Sequence, residues 1–366
     1  MLNSRLPVSI DSHLHRAFIE SLFSTFLCAI VVGIVFLPDE MERSRPLKRV
    51  QFCTHSIDGK VLFALVASMN MWDAAEKNSN HLERYDLSKK VPFPQAICEK
   101  LNPQCAAVDA RNGRLFLIDM LGRLYATGLD SSISTHAFHG QVPGGRPKSM
   151  ACTQDGRKVI VLNHEGLFLW NVDSHANGVA SPHWSHLEGE IVCFALNPDS
   201  DTAVLGRFSE LNGKQTDLVE VNIQTGETKM LFVKKGWRMV RLAISSNGRS
   251  MVGVEDSGEM MLLQRTSDSE AWEHRSIPGL CTGTSNVACF SPDSSLLITT
   301  DRYSRRLVAW NLDQKEICNK FETNPTIVVG CSFLNEDQFL SWGVDPALRV
   351  WNLSNNTLER KIQLSP

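Results

Sequence analysis

The residues able to do chemistry are scattered along this chain. Three histidines fall close together, His175, His183 and His186 around "SPHWSH", with His164 just upstream. A metal centre needs its ligands delivered to one point. Pro182 and the flanking serines mark this stretch as a loop between elements, and its spacing suits no helix face, so these are read as solvent-exposed histidines. Nucleophilic catalysis has no local support, because the G-x-S-x-G elbow does not occur. Phosphate-cradling loops are missing too, with neither G-x-x-x-x-G-K-[ST] nor G-x-G-x-x-G present. No catalytic residue, metal or cofactor is therefore expected.

The ten cysteines form no C-x-x-C pair. Cys53, Cys105, Cys152, Cys193, Cys289 and Cys331 each sit in or beside a short apolar run just before a turn, as in "VACFSPDS" and "SMACTQDG". A free cysteine packs as a small hydrophobe, so these read as core thiols, which favours a reducing, cytoplasmic setting. Charge is nearly balanced, 37 basic against 40 acidic residues, and it is mixed along all 366 positions. That leaves no basic footprint for nucleic acid.

The elements that would position any site come from a repeat. Seven turn signals recur, around Gly59, Gly113, Gly156, Asp199, Gly248, Asp293 and Asp337. Each lies between two short apolar runs, and Asp-Gly or Asn-Gly supplies the positive backbone angles of a tight hairpin. A third strand follows in "MNMWDA", "RLYATG", "LFLWNV", "LVEVNI", "MMLLQR", "LVAWNL" and "LRVWNL". Fourth strands are weaker, as in "HLERYDL", "STHAFHG", "TKMLFV", "WEHRSI", "ICNKFE" and "LERKIQL". From Trp72 to Trp351 the period is about 46 residues, enough for four strands with their loops.

In residues 287–312 and 328–353 the chain resembles the WD-repeat family, with "SPDS" in place of the family's "SPDG" and "WNL" at Trp310 and Trp351 in place of its "WD". "WNV" at Trp170 fits the same pattern, and the resemblance spans about residues 48–364. It departs from the family in lacking the Gly-His pair that opens a repeat, and repeats 2, 4 and 5 lack the Trp. The resemblance implies an all-β, seven-bladed β-propeller of four-stranded antiparallel blades, with incomplete internal hydrogen-bond tetrads. Ring closure has two candidate routes: packing between blades 1 and 7, or sharing of "KRVQFC".

In such a ring the loops joining the second strand to the third, and the fourth to the next first, share one face. Residues expected there are Asp119, Glu165, Arg207, Phe208, Asp256, Arg302, Tyr303, Arg305 and Asp345 from the first kind of loop, with Trp342 close to one, and Trp184, Lys148, Trp237 and Arg238 from the second. Trp, Tyr and Arg dominate binding energetics at protein interfaces. Core packing competes for Trp237 and Trp342, and a solvated turn competes for Arg302, Tyr303, Arg305 and Arg306. The family uses an Asp to hold such turns, which implies a structural part for Asp301 and Asp345. The segment "GRFSELNGKQTD", 206–217, reads as the longest of these loops. The expected function is a non-catalytic scaffold for other proteins; the alternative is a propeller enzyme with a site assembled from several blades at the central channel.

Residues 1–47 read as an extension and 48–366 as the propeller. Residues 21–38, "SLFSTFLCAIVVGIVFLP", are uncharged, at the threshold length for a membrane-spanning helix. Eleven are Leu, Ile, Val or Phe, each favouring insertion by about 0.3–0.6 kcal/mol. An apolar N-terminal helix serving as an uncleaved anchor, or one docked on protein, is expected, and a chain starting at Met41 would lack it.

Overall fold

A computed structural model of the protein describes residues 47–55, 61–69, 79–89, 95–97, 103–109, 112–128, 137–172, 181–182, 189–198, 201–210, 214–267, 271–275, 287–300, 306–322 and 327–364. The expected N-terminal helix at 21–38 lies outside them. Among the described residues no helix is long and apolar enough to cross a membrane. The compact unit treated below comprises Leu47–Met69 and Lys77–Pro366.

The chain is an all-β propeller of four-stranded antiparallel blades. The described strands form seven such sheets, each an uncrossed meander of four consecutive strands, here called a to d. Sheet 1 runs from Leu47 to Ile97, sheet 2 from Pro103 to Gln141, sheet 3 from Ser149 to Pro182 and sheet 4 from Glu190 to Lys235. Sheets 5, 6 and 7 run from Met239 to Arg275, Ala288 to Glu322 and Val328 to Gln363. The middle strands carry runs buried on both faces, such as Lys158–Leu162 and Ala347–Asn352, because every sheet is covered by a neighbour on each side.

One position organises the packing. The second-to-last residue of each strand c pairs with the second residue of strand b: Tyr85 with Leu62, Thr127 with Leu115, Trp170 with Val159, Val221 with Ala203, Leu263 with Met251, Trp310 with Leu297 and Trp351 with Phe339. All seven side chains are buried. Where it joins an apolar cluster, this residue packs against the preceding sheet. Trp170 lies with Phe116 and Ile118 of sheet 2, Leu263 with Val204 and Leu218 of sheet 4, and Trp310 with Val252 and Leu262 of sheet 5. Trp351 joins Phe321 of sheet 6, their rings meeting edge to face at 5.7 Å. By the same rule Tyr85 of sheet 1 packs with Leu340, Trp342 and Ile362 of sheet 7.

Sheet 1 therefore closes on sheet 7 by side-chain packing, with "KRVQFC" inside its own first strand, Leu47–His55. Arg360 Nη1 adds hydrogen bonds to the carbonyls of Leu87 and Lys89, at 2.7 and 3.3 Å. The Tyr85 hydroxyl donates to Glu83 Oε2. Burial, reinforced by that hydrogen bond, pushes the phenol far above its ordinary value, so it remains a neutral donor.

Sheet 1 corrects the sequence reading. "HLERYDL" is its third strand, Ser79–Asp86, and the fourth is Gln95–Ile97. Trp72, read as a third-strand landmark, falls in the connection before it and outside the described residues. In sheet 2 the register gives the landmark position to Thr127 in place of Tyr125.

The residue after the landmark has a separate task. Asn222, Asn311 and Asn352 Oδ1 each accept two backbone N–H groups of the following turn, and Asp86 Oδ1 accepts the N–H of Ser88. The turn needs an acceptor oxygen, which Asp and Asn both carry. Gly330 meets a different demand, because a Cβ there would lie 2.2 Å from the Trp342 ring.

The tetrads are incomplete in a specific way. Trp310 Nε1 donates to Thr299 Oγ1 at 2.9 Å and Trp351 Nε1 to Ser341 Oγ at 2.8 Å, in each case two residues beyond the landmark's partner. In sheet 3 that position is Val161, and the buried Trp170 Nε1 finds no partner among the described residues. Val161→Thr is expected to raise stability by about 0.5–1.5 kcal/mol, read from the urea midpoint. A lowered midpoint would show that the indole N–H does not face residue 161.

Candidate functional site

Antiparallel order sends the b–c and d–a connections to one end of the propeller, and backbone hydrogen bonds join them there. The sheet 2–3 link, 142–148, bonds to the sheet 2 turn through Val142 N to Gly122 O and Arg146 N to Met120 O, and receives Asn163 Nδ2 of sheet 3 at Pro143 O. Gly236 N reaches Lys214 O, Asp256 N reaches Arg238 O, and Val344 N reaches Ile327 O. The described loops thus brace one another in pairs along the rim.

Several rim turns are held by their own acids. Asp119 Oδ1 accepts the N–H groups of Leu121 and Arg123, and its Oδ2 accepts Arg123 Nε at 2.6 Å. Asp345 takes a two-pronged pair from Arg349, at 3.0 and 2.5 Å. These carboxylates are committed to the fold. Met120, Leu121, Ile327 and Val344 on the same rim are exposed apolar side chains.

The described polar centre of this face spans sheets 3 to 5. Glu190, opening strand a of sheet 4, accepts Lys148 Nζ at 3.2 Å and Arg238 Nη2 at 3.3 Å. The Arg238 guanidinium also lies over the Phe208 ring, 5.4 Å from its centre. Beneath, Arg207 Nη2 meets Asp217 Oδ2 at 2.7 Å across paired strands, and Gln215 Nε2 donates to Asp217 Oδ1 at 2.9 Å. Lys234 covers Trp237 at 5.3 Å. Trp237 is buried between sheets 4 and 5, and its carbonyl accepts Thr216 Oγ1.

Of the expected site residues, Arg207, Phe208, Trp237 and Arg238 come together here. Phe208, Trp237 and Trp342 are each under a tenth exposed and sit in or under the packing, with Trp342 between sheets 7 and 1. They support the rim from below, and Arg238 is the member of the group that faces water. Trp184, Arg302, Tyr303 and Arg305 lie outside the described residues, as does Asp301. The "GRFSELNGKQTD" loop is corrected: strands Thr202–Ser209 and Gln215–Asn222 pair through Ser209 and Gln215, which leaves 210–214 as the connection. Cross-strand Arg207–Asp217 pairing and alternating burial extend the hairpin beyond its apolar part. Glu190 was missed, since its partners lie about one repeat away on either side.

Among the described residues no group of three or more His, Cys, Asp or Glu could hold a metal ion. Six of the seven described cysteines lie on first strands. Burial pushes the thiols of Cys105, Cys152 and Cys193 up to about 12, so they stay protonated at neutral pH.

No family model matches the chain, and no curated protein matches it in sequence. Its fold is shared with the β-propeller domain of Cps50 (Swd1) from Myceliophteria thermophila, at a TM-score of 0.58 over 84% of this chain and 95% of that one. Sequence identity is 9%, so the likeness is one of fold alone.

Burial opposes the charge on Glu190, but the hydrogen bonds from Lys148 and Arg238 outweigh it and hold the carboxyl below its ordinary value. A lowered folded value contributes stability above the carboxylate range, and this is lost as pH falls through it. Between pH 7 and about pH 3, Glu190→Gln is expected to lose less of its denaturant midpoint than the parent. The gap narrows at high salt, because these groups are partly exposed. Equal losses in both proteins at low salt would refute the linkage.

Proposed function

We propose that the protein is a non-catalytic interaction platform, a seven-bladed WD-type propeller over about residues 48–366 whose b–c and d–a rim receives partner proteins. Seven four-stranded sheets, with the first packed against the last, support the blade count. The observation that carries the function is the braced rim, whose loops carry exposed Met120, Leu121, Ile327 and Val344 and, over sheets 3 to 5, the Lys148–Glu190–Arg238 bridge. Rigid loops lose little entropy on binding, and mixed apolar and arginine surface is what protein interfaces favour. Arg302, Tyr303 and Arg305, from the sheet 6 b–c connection, extend this surface by their place in the repeat. Free cysteines fit a reducing compartment such as the cytoplasm.

Crosslinking mass spectrometry on the native protein tests the face. Lys148 and Lys214 lie on the rim, whereas Lys89 and Lys315 lie on c–d turns at the opposite end. Crosslinks to stoichiometric partners are expected at the first pair. Replacing Arg302, Tyr303 and Arg305 together with alanine should release at least one partner while circular dichroism and melting stay unchanged. Partner crosslinks confined to Lys89 and Lys315, or full partner retention by the folded triple variant, would overturn this reading.

A further inference from the structure

Two thiols on neighbouring first strands face each other across the sheet 6–7 boundary. Cys289 lies on Ala288–Phe290 and Cys331 on Val328–Phe333, and their Sγ atoms are 2.6 Å apart. Both residues are half-buried, and both pack on the cluster that joins the two sheets. A disulfide spans about 2.0 Å between sulfurs, so bonding asks for little movement of either strand. Their register explains the meeting. Cys289 pairs with Ile298, one residue past the landmark's partner, and Cys331 with Ser341, two past it, which turns the two side chains to opposite faces of their own sheets and toward each other. Arg241, on the first strand of sheet 5, reaches the Val329 carbonyl of sheet 7 at 3.5 Å and interacts electrostatically with Cys331.

We propose that Cys289 and Cys331 are a peroxide-oxidised thiol pair, forming a reversible disulfide that staples sheet 6 to sheet 7. Burial, then the hydrogen bond to Cys331, raises the Cys289 thiol well above its ordinary range, so Cys289 is not the sulfur oxidised first and gives up its proton only as it attacks. Cys331 sulfur gives an electron pair to one peroxide oxygen, the O–O bond breaks, and the thiol proton leaves with the departing oxygen as water. The sulfenic acid so formed is attacked by Cys289 sulfur. The S–S bond forms, the S–O bond breaks, and the hydroxide takes the Cys289 proton to leave as a second water. Two thiols lose two electrons in all, and hydrogen peroxide gains them. A dithiol reverses the step by exchange.

Two sheets already packed together gain a covalent tie over a 42-residue separation, one repeat of the ring. Cross-linking of that span restricts the unfolded chain far more than the folded one.

The test uses the full-length protein, reduced and then freed of reductant. It is treated with a slight excess of hydrogen peroxide, blocked with N-ethylmaleimide and digested without reduction for mass spectrometry. The expected product is the Cys289 peptide joined to the Cys331 peptide, two hydrogens lighter than the sum, absent after dithiothreitol and absent in Cys331→Ser. The melting temperature of the oxidised parent should rise by roughly 3–8 °C. Recovery of both cysteines singly blocked from folded, peroxide-treated protein would overturn the proposal. So would Cys289 joined to any other cysteine, or a linked protein that melts no higher than the reduced one.

Discussion

No sheet of this protein can bury both of its faces alone, and the whole structure follows from how that debt is met. Near its end each strand c carries a buried side chain, in six of seven sheets packed on the sheet before it, and in three that side chain is Trp. The rule is cyclic. Because Tyr85 obeys it against Leu340, Trp342 and Ile362, the first sheet needs no strand from the other end of the chain to complete it. The middle strands become fully buried as a result, and the rim loops are drawn close enough to hydrogen-bond to one another.

The same packing explains what the landmark position keeps in each sheet. A tryptophan indole carries a polar N–H into the core, and it is matched by Thr299 and Ser341 in sheets 6 and 7. Sheet 3 has the ring without the acceptor: the position matching Thr299 and Ser341 is Val161, and Trp170 Nε1 has no partner among the described residues. In sheet 3 the buried ring is therefore kept without the hydrogen bond, as expected when apolar burial outweighs one neutral bond. Val221 and Leu263 go further and discard the polar group altogether.

Much of the architecture was legible because turns and landmarks are local. Positive backbone angles at Gly113, Gly156 and Gly248 sit where the turn signals lie, and the third strands of sheets 2 to 7 occupy the expected segments. Sheet 1 misled because its b–c connection, 70–78, is long and holds a tryptophan of its own. The correct signal was the Tyr85–Asp86 pair, an aromatic followed by a turn-capping acid. The rim was less legible. Glu190 meets Lys148 and Arg238, 42 and 48 positions away, and only the closed packing of sheets brings them together. Phe208 and Trp237 showed the converse: aromatic type marked them as binding residues, while burial under Arg238 and Lys234 makes them supports.

Native-state hydrogen exchange at graded denaturant tests ring closure most directly, because it reports which strands open together. Closure through Tyr85 predicts that the middle strands of sheets 1 and 7, Val61–Met69 and Gln338–Gly343, share one opening free energy with those of the other sheets. Exchange of Val61–Met69 at an opening free energy several kcal/mol below the rest would contradict it, and would mean that sheet 1 frays from an open chain of sheets.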